Sequence, residues 1–257
     1  GRNWSAFLQL LNDDRIARAQ ASLAAMLEAS SLAGLRFLDA GCGSGLFSLA
    51  ARRLGARVHS FDFDPASVAC TGELRRRYFS EDTGWRVEEG SVLDRDYLAR
   101  LGPFDVVYSW GVLHHTGALW DALDRVAACV APGGKLFIAI YNDQGKISRR
   151  WWAIKRAYNR LPSALRFLVL WPCAIHAWWR PLLKDLLLLR PFQSWRDYRA
   201  RGMSPWRDVV DWVGGFPFEV ARPEQVFDFY RARGFTLERL ETAGGTMGCN
   251  QFVFRRK

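Results

Sequence analysis

The sequence predicts an α/β fold: a doubly wound parallel sheet with helices on both faces, interrupted after its fifth strand by a helical insertion. Three observations carry this. Short apolar runs alternate with helix-periodic stretches from residue 31 to residue 141. The first two runs each end in an acid followed closely by glycines or proline, Asp39 and Asp62. The alternation then stops at Asn142 and resumes at Pro223. The chain therefore reads as an N-terminal helical segment (1–30), a sheet core (31–141), an insertion (142–222) and a C-terminal completion of the core (223–257).

The elements follow in order. Phe7, Leu8, Leu11, Ile16, Leu23, Met26 and Leu27 recur at roughly helical intervals, with Asn12-Asp13-Asp14 as a break and cap. Leu35–Asp39 is a strand running into a glycine loop, and Leu46–Leu54 is a helix. Ala56–Phe61 is the second strand, ending in Asp62, and Pro65–Tyr78 the next helix. Trp85–Glu89 and Phe104–Ser109 are strands three and four, Leu119–Val130 a helix, Pro132-Gly133-Gly134 a turn and Lys135–Tyr141 strand five. Pro223 suits a first helical turn; Glu224–Arg233 continues it and Gly234 closes it. Thr236–Thr242 and Gln251–Arg255 are strands. No internal repeat or low-complexity run is present.

An apolar fraction of 49 % supports a large core and excludes disorder. The five cysteines (Cys42, Cys70, Cys129, Cys173, Cys249) form no Cys-x-x-Cys pair and no Cys/His cluster with zinc spacing, so reduced thiols of a cytoplasmic protein and no metal are expected. No signal peptide is visible. The opening Gly-Arg-Asn-Trp reads as the start of a fragment. The net charge of +10 is not spread evenly. Lys146–Arg207 holds 14 Lys/Arg against Asp185 and Asp197, a net +12, and the rest of the chain sums to −2. One region carries the basic character, and it asks for an anionic partner.

Asp39-Ala40-Gly41-Cys42-Gly43-Ser44-Gly45, between a strand and a helix, is a cofactor loop. Glycines allow positive φ and close approach of a ligand to the backbone. A dinucleotide loop reads Gly-x-Gly-x-x-Gly, but here the third position is Leu46. The acid at Asp39 suits S-adenosylmethionine (SAM) better, accepting from its ammonium or ribose side. Asp62, about 20 residues on, suits ribose hydroxyls. Asp64, before Pro65, fits a helix cap as well as a ligand. In Gly90-Ser91-Val92-Leu93-Asp94, Ser91 and Val92 are placed to read an adenine edge, and Asp94 fits a ligand or a cap equally.

These segments, with Phe104-Asp-Val-Val-Tyr-Ser-Trp-Gly-Val-Leu-His-His115 and Pro132-Gly-Gly-Lys135, resemble the class I SAM-dependent methyltransferases. The likeness is greatest to the small-molecule branch that includes ubiquinone-type O-methyltransferases. It covers residues 35–141 by motif and 223–257 by topology. It implies a Rossmann-like seven-stranded sheet with the last strand antiparallel, and SAM across the carboxyl ends of the strands, leaving as S-adenosylhomocysteine. On that reading the cofactor-binding residues are Asp39, Gly41, Cys42, Gly43, Asp62, Phe63, Ser91, Val92, Ser109 and Trp110. Gly244-Gly-Thr-Met-Gly-Cys-Asn250 departs from the family pattern and has no assigned role.

Methyl transfer from a sulfonium needs alignment and exclusion of water, and a hydroxyl acceptor also needs a base. His114 and His115, after strand four, are the catalytic candidates; the alternative is that one packs or orients the loop. Tyr141, Arg207, Asp211 and Trp212 are the candidate substrate-pocket residues, with a structural return loop as the alternative for the last three. No Asn-Pro-Pro-Tyr or Asp-Pro-Pro-Tyr stands at Ser109-Trp110-Gly111, and no Pro-Cys nucleophile is present, which argues against DNA-base methylation.

Between Trp151 and Trp206 lie seven of the twelve tryptophans. Phe167–Trp179 holds no charged residue, is broken by Pro172 and is too short to span a bilayer. Tryptophans and arginines around apolar faces fit an interfacial helix, so 148–200 is expected to touch the inner face of a membrane peripherally. A helical lid over the site and self-association are the other uses open to this segment. A small or lipid-like acceptor is the expected partner. RNA methylation, or SAM binding without turnover, are the competing functions.

Overall fold

The computed structural model describes residues 11–200, 204–246 and 248–257. Phe7 and Leu8 of the N-terminal pattern, and the start of the Gly202–Glu219 return segment, lie outside the described residues. The chain divides into two units, Gly1–Asp143 with Val220–Lys257, and Gln144–Glu219.

In the first unit the described strands are β1 (Arg36–Ala40), β2 (Arg57–Asp62), β3 (Trp85–Glu89), β4 (Phe104–Trp110), β5 (Val130–Tyr141), β6 (Phe235–Glu241) and β7 (Cys249–Arg256). They form one seven-stranded sheet in the order β3-β2-β1-β4-β5-β7-β6. Strands β1 to β5 pair in parallel, and β7 runs antiparallel to β5 and β6. The sheet is the Rossmann-like one expected. Central β1 is buried over four of its five residues, as a strand covered on both faces must be.

Helices α1 (Asp13–Leu27), α2 (Leu46–Arg53) and α3 (Pro65–Tyr78) contribute Ile16, Leu23, Leu49 and Leu74 to the core on one face. Helices α4 (Arg95–Leu101), α5 (Leu119–Ala128) and α10 (Pro223–Arg231) contribute Leu98, Leu123, Val126 and Tyr230 on the other. The expected cap at α1 is Asn12, whose side chain accepts from the Arg15 amide. One expectation fails here. Pro132-Gly133-Gly134 is not a turn before β5 but a bulge within it: the register shifts from Phe104↔Val130 to Val106↔Lys135. Glycine is required at Gly134, because a Cβ there would lie 2.9 Å from the carbonyl oxygens of Ala131 and Asp105.

After β5 the chain leaves the sheet beside the point where it returns. Asn142 bridges Ala221. The Ala221 amide donates to the Tyr141 carbonyl (3.0 Å) and the Asp143 amide to the Ala221 carbonyl (3.2 Å).

The second unit is helical: α6 (Lys146–Arg160), α7 (Phe167–Leu187), α8 (Gln193–Ala200) and α9 (Pro205–Gly214). Pro172 does not break α7, which runs through both Pro172 and Pro181. Leu170, Cys173 and Ala174 flank Pro172 and all enter the unit's core with Tyr158, Val209 and Val213, which one continuous helix allows. Leu168, whose carbonyl loses its partner at Pro172, is exposed, so water can bond it. Lys155 is fully buried. Its ammonium donates to the Trp212 carbonyl and lies 4.0 Å from the Trp212 ring centre and 4.8 Å from that of Phe218. Burial lowers its pKa to about 7.

Candidate active site

The strand order reverses between β1 and β4, and a crevice opens at the carboxyl ends of strands at such a point. The loops after these two strands meet there. After Ala40 the chain turns on Gly41 (φ +87°), Gly43 (+53°) and Gly45 (+77°), conformations that disfavour a side chain. A Cβ on Gly41 would lie 2.4 Å from a Val112 methyl, after β4, and one on Gly45 would lie 2.8 Å from the Thr71 hydroxyl on α3. The loop thus threads a slot that admits only glycine.

The end of β2 pins the loop. The Gly41 and Cys42 amides both donate to the Phe61 carbonyl (2.9 and 3.0 Å). The Gly43 amide donates to Asp62 Oδ2 and the Asp64 amide to Asp62 Oδ1, both at 2.9 Å. Each Asp62 oxygen keeps a second lone pair, so the half-buried carboxylate can still accept two ligand hydroxyls. Burial raises its pKa, and the backbone donors oppose the rise. Phe63, the next residue, is 82 % exposed. Asp64 and Asp94 are helix caps, accepting from the Ala66 and Tyr97 amides (3.0 and 2.9 Å).

Several expected cofactor contacts are redirected. Asp39 is 1 % exposed and accepts from the Ser48 hydroxyl on α2 (2.5 Å), with Ser60 and the Trp85 indole completing the buried network. It supports the loop from beneath, and its side chain is out of a ligand's reach. Burial pushes its pKa up to about 7. The buried Ser109 hydroxyl donates to the Ala40 carbonyl (2.8 Å), joining β4 to β1. The Cys42 thiol accepts from Thr71, and Val92 packs in the core. These four residues can offer a ligand only their backbone. Ser91 accepts from the Leu93 amide (3.1 Å) and is half-buried. Trp110 is 44 % exposed, its indole N–H donating to Gln251 (3.0 Å).

The two histidines differ. Both lie in a 3-10 turn, Leu113–His115. His114 is fully buried, its ring centre 3.9 Å from that of Tyr141, and Nδ1 accepts from the Tyr141 amide (3.4 Å). That bond places the proton of the neutral ring on Nε2. His114 therefore orients the turn against the end of β5. His115 is half-buried and edge-on to Tyr141 (5.5 Å). Of the pair, His115 is the more exposed.

The expected substrate residues are divided between the two units. Tyr141 ends β5 in the sheet unit; Arg207, Asp211 and Trp212 lie on α9 in the helical unit. Arg207 and Asp211 are exposed one turn apart, whereas the Trp212 ring packs on Trp151 and Lys155 as a core group. Sequence reasoning missed Asn250. It is buried on β7, accepting from the Ala243 amide (2.9 Å) and donating to Asn142 (3.1 Å). This ties the β6–β7 connection to the carboxyl end of β5. The signal for it is a lone Asn at the head of an apolar strand, after Gly244-Gly245.

A family described as methyltransferase domain matches residues 10–172. The tRNA U34 carboxymethyltransferase of Methylococcus capsulatus is 36 % identical over 119 residues, 46 % of this chain and 36 % of that one. The ubiquinone biosynthesis O-methyltransferase of Methylocella silvestris is 35 % identical over 111 residues, 43 % of this chain and 41 % of that one. The matched stretch spans less than half the length of either relative. Among solved structures, magnesium protoporphyrin IX methyltransferase from Synechocystis PCC 6803 with bound SAH aligns with a TM-score of 0.57 at 13 % identity, over 94 % of this chain and 83 % of that one. At that identity the likeness is one of fold.

Proposed function

The chain belongs to the methyltransferase-domain family, and on that premise we propose that it is a SAM-dependent methyltransferase acting on a small, hydrophobic or lipid-linked acceptor, with oxygen as the favoured acceptor atom. One observation carries the reading: a loop with three positive-φ glycines, bonded through Gly43 to an Asp62 carboxylate that retains acceptor capacity. The residues present fit SAM. Asp62 takes the ribose hydroxyls, exposed Phe63 offers a face to adenine, and the backbone at Ser91–Val92 reads the adenine edge. The backbone of the Gly41–Gly43 loop and of Ser109–Trp110 lines the amino-acid side. SAM, when bound, supplies a methyl group on a sulfonium that leaves as a neutral thioether when an acceptor lone pair attacks in line.

His115 takes the proton of an acceptor hydroxyl, while His114 and Tyr141 hold its turn in place. The name of the O-methyltransferase relative supports oxygen as the acceptor atom. A second reading, RNA methylation, draws on the tRNA-modifying relative and on the net +12 of Lys146–Arg207.

Titration calorimetry with SAM tests the first half. Wild type binds, and Asp62→Ala binds about 100-fold more weakly, through loss of two hydrogen bonds to a charged group. Absence of SAM binding by wild type sinks the reading. Transfer of labelled methyl to lysate fractions tests the second half: label in the lipid or small-molecule pool supports it, and label in RNA with steeply salt-dependent binding favours the alternative.

A further inference from the structure

Helix α7 shows one apolar face to the unit's core and another to solvent. Leu170, Cys173, Ala174 and Asp185 are buried. Leu168, Trp171, Ile175, Trp179, Leu183 and Leu186 recur every three or four residues and are each 46–64 % exposed. At 3.6 residues per turn they fall within about a third of the helix circumference, opposite the buried side, and extend for about 27 Å. Leu187, Leu188, Leu189 and Phe192 prolong the apolar surface and are also exposed. A continuous stripe of this size marks an interaction surface.

Charge identifies the occupant. The only acid of α7, Asp185, is buried and bonded to the amide and hydroxyl of Ser194 (2.7 and 2.6 Å). Arg180 is exposed at the margin of the stripe, its guanidinium 5.2 Å from the Trp179 ring centre, Arg190 is exposed between Leu189 and Phe192, and Lys146, Arg149 and Arg150 are exposed on the same unit. Apolar side chains, tryptophans and a basic margin together match the acyl, interfacial and headgroup layers of an anionic membrane. A second copy of the chain would bring another net +12 segment against the first. RNA offers nothing to the four aliphatic side chains of the stripe. Among the described residues no helix is long and apolar enough to cross a membrane, so the contact is peripheral.

We infer that the Gln144–Glu219 unit docks on an anionic lipid surface, with the Leu168–Leu186 stripe of α7 in the interface and the flanking arginines on the headgroups. The docking does not depend on methyl transfer.

Flotation of the full chain with phosphatidylcholine vesicles, with and without phosphatidylglycerol, tests it. Wild type floats with the phosphatidylglycerol vesicles and is released as salt rises. Ile175→Asp and Leu186→Asp, both at exposed positions, each weaken partitioning by about tenfold. The pair Arg180→Gln and Arg190→Gln, which keeps the apolar stripe intact, also weakens it, and circular dichroism checks that every variant is folded. SAM calorimetry runs in parallel and is unchanged in all of them, so failure of docking and failure of the methyltransferase reading are separable. Three results each overturn the inference: equal partitioning of wild type and the aspartate variants, equal binding to both vesicle types, or a dimer in light scattering that Ile175→Asp dissociates. Tight RNA binding abolished by the same aspartates, without flotation, also overturns it.

Discussion

Replacing Gly41 by alanine isolates what the slot between the β1 and β4 loops demands. Two costs arise. An L-residue in a left-handed conformation, as at φ +87°, costs about 1–2 kcal/mol. The new Cβ would lie 2.4 and 2.5 Å from the two Val112 methyls, and overpacking of this kind costs about 1–3 kcal/mol. Together they lower stability by about 2–5 kcal/mol. For a chain of this size that is a fall of roughly 5–15 °C in Tm. The loop must also shift, pulling the Gly43 amide from Asp62 and weakening SAM binding by about tenfold or more. Adding Val112→Ala removes the two methyls but leaves the Val112 Cβ at 2.9 Å, and the φ strain. The double variant should therefore recover part of the overpacking loss only, a coupling that a double-mutant cycle reads directly. Calorimetric unfolding and SAM titration of the four proteins in the cycle supply the numbers. An unchanged Tm and affinity for Gly41→Ala, or a Val112→Ala effect that is simply additive, refutes the slot.

Two further expectations follow from the histidines and the buried acid. His115→Gln lowers kcat about 100-fold or more and leaves SAM affinity intact, whereas His114→Gln lowers Tm first; equal kinetic effects with no change in Tm for His114→Gln would refute the division of roles. Burial raises the Asp39 pKa from 3.8 to about 7, so the folded state holds a proton there that the unfolded chain has lost. The resulting stability is full below the unfolded value and is lost as pH rises through about 7, to a total of at most about 4 kcal/mol. Asp39→Asn should flatten the decline in urea-unfolding stability between about pH 4 and 7. A decline of the same slope in the variant refutes it.

Much of this architecture is legible in the chain because local signals and tertiary demands agree. The alternation that begins at Leu35 and Asn12 as a cap both reflect backbone requirements met within a few residues. The misreadings arise where distant contacts decide. Pro132-Gly-Gly134 has the composition of a turn, but pairing with β4 on one side and β7 on the other holds it as a bulge within β5. Pro172 looks like a helix breaker, but core positions before and after it keep α7 whole. Asp39 and Asp62 look alike in sequence. Only the fold places one beneath α2, bonded to Ser48, and leaves the other at the loop with lone pairs to offer. The division between His114 and His115 likewise depends on Tyr141, 26 or 27 residues away in the chain.

The bonds joining Tyr141, Asn142 and Asp143 to Ala221 have an evolutionary consequence. They hold the two chain ends that border the helical unit about one strand spacing apart, and all the groups involved belong to the sheet unit. The entropy of closing so well anchored a loop grows only by about 0.6 kcal/mol for each doubling of its length. A segment at this position can therefore lengthen, shrink or be exchanged for another with little penalty to the sheet. The junction works as a socket, into which segments of different length and sequence can be set while the glycine loop and Asp62 stay as they are.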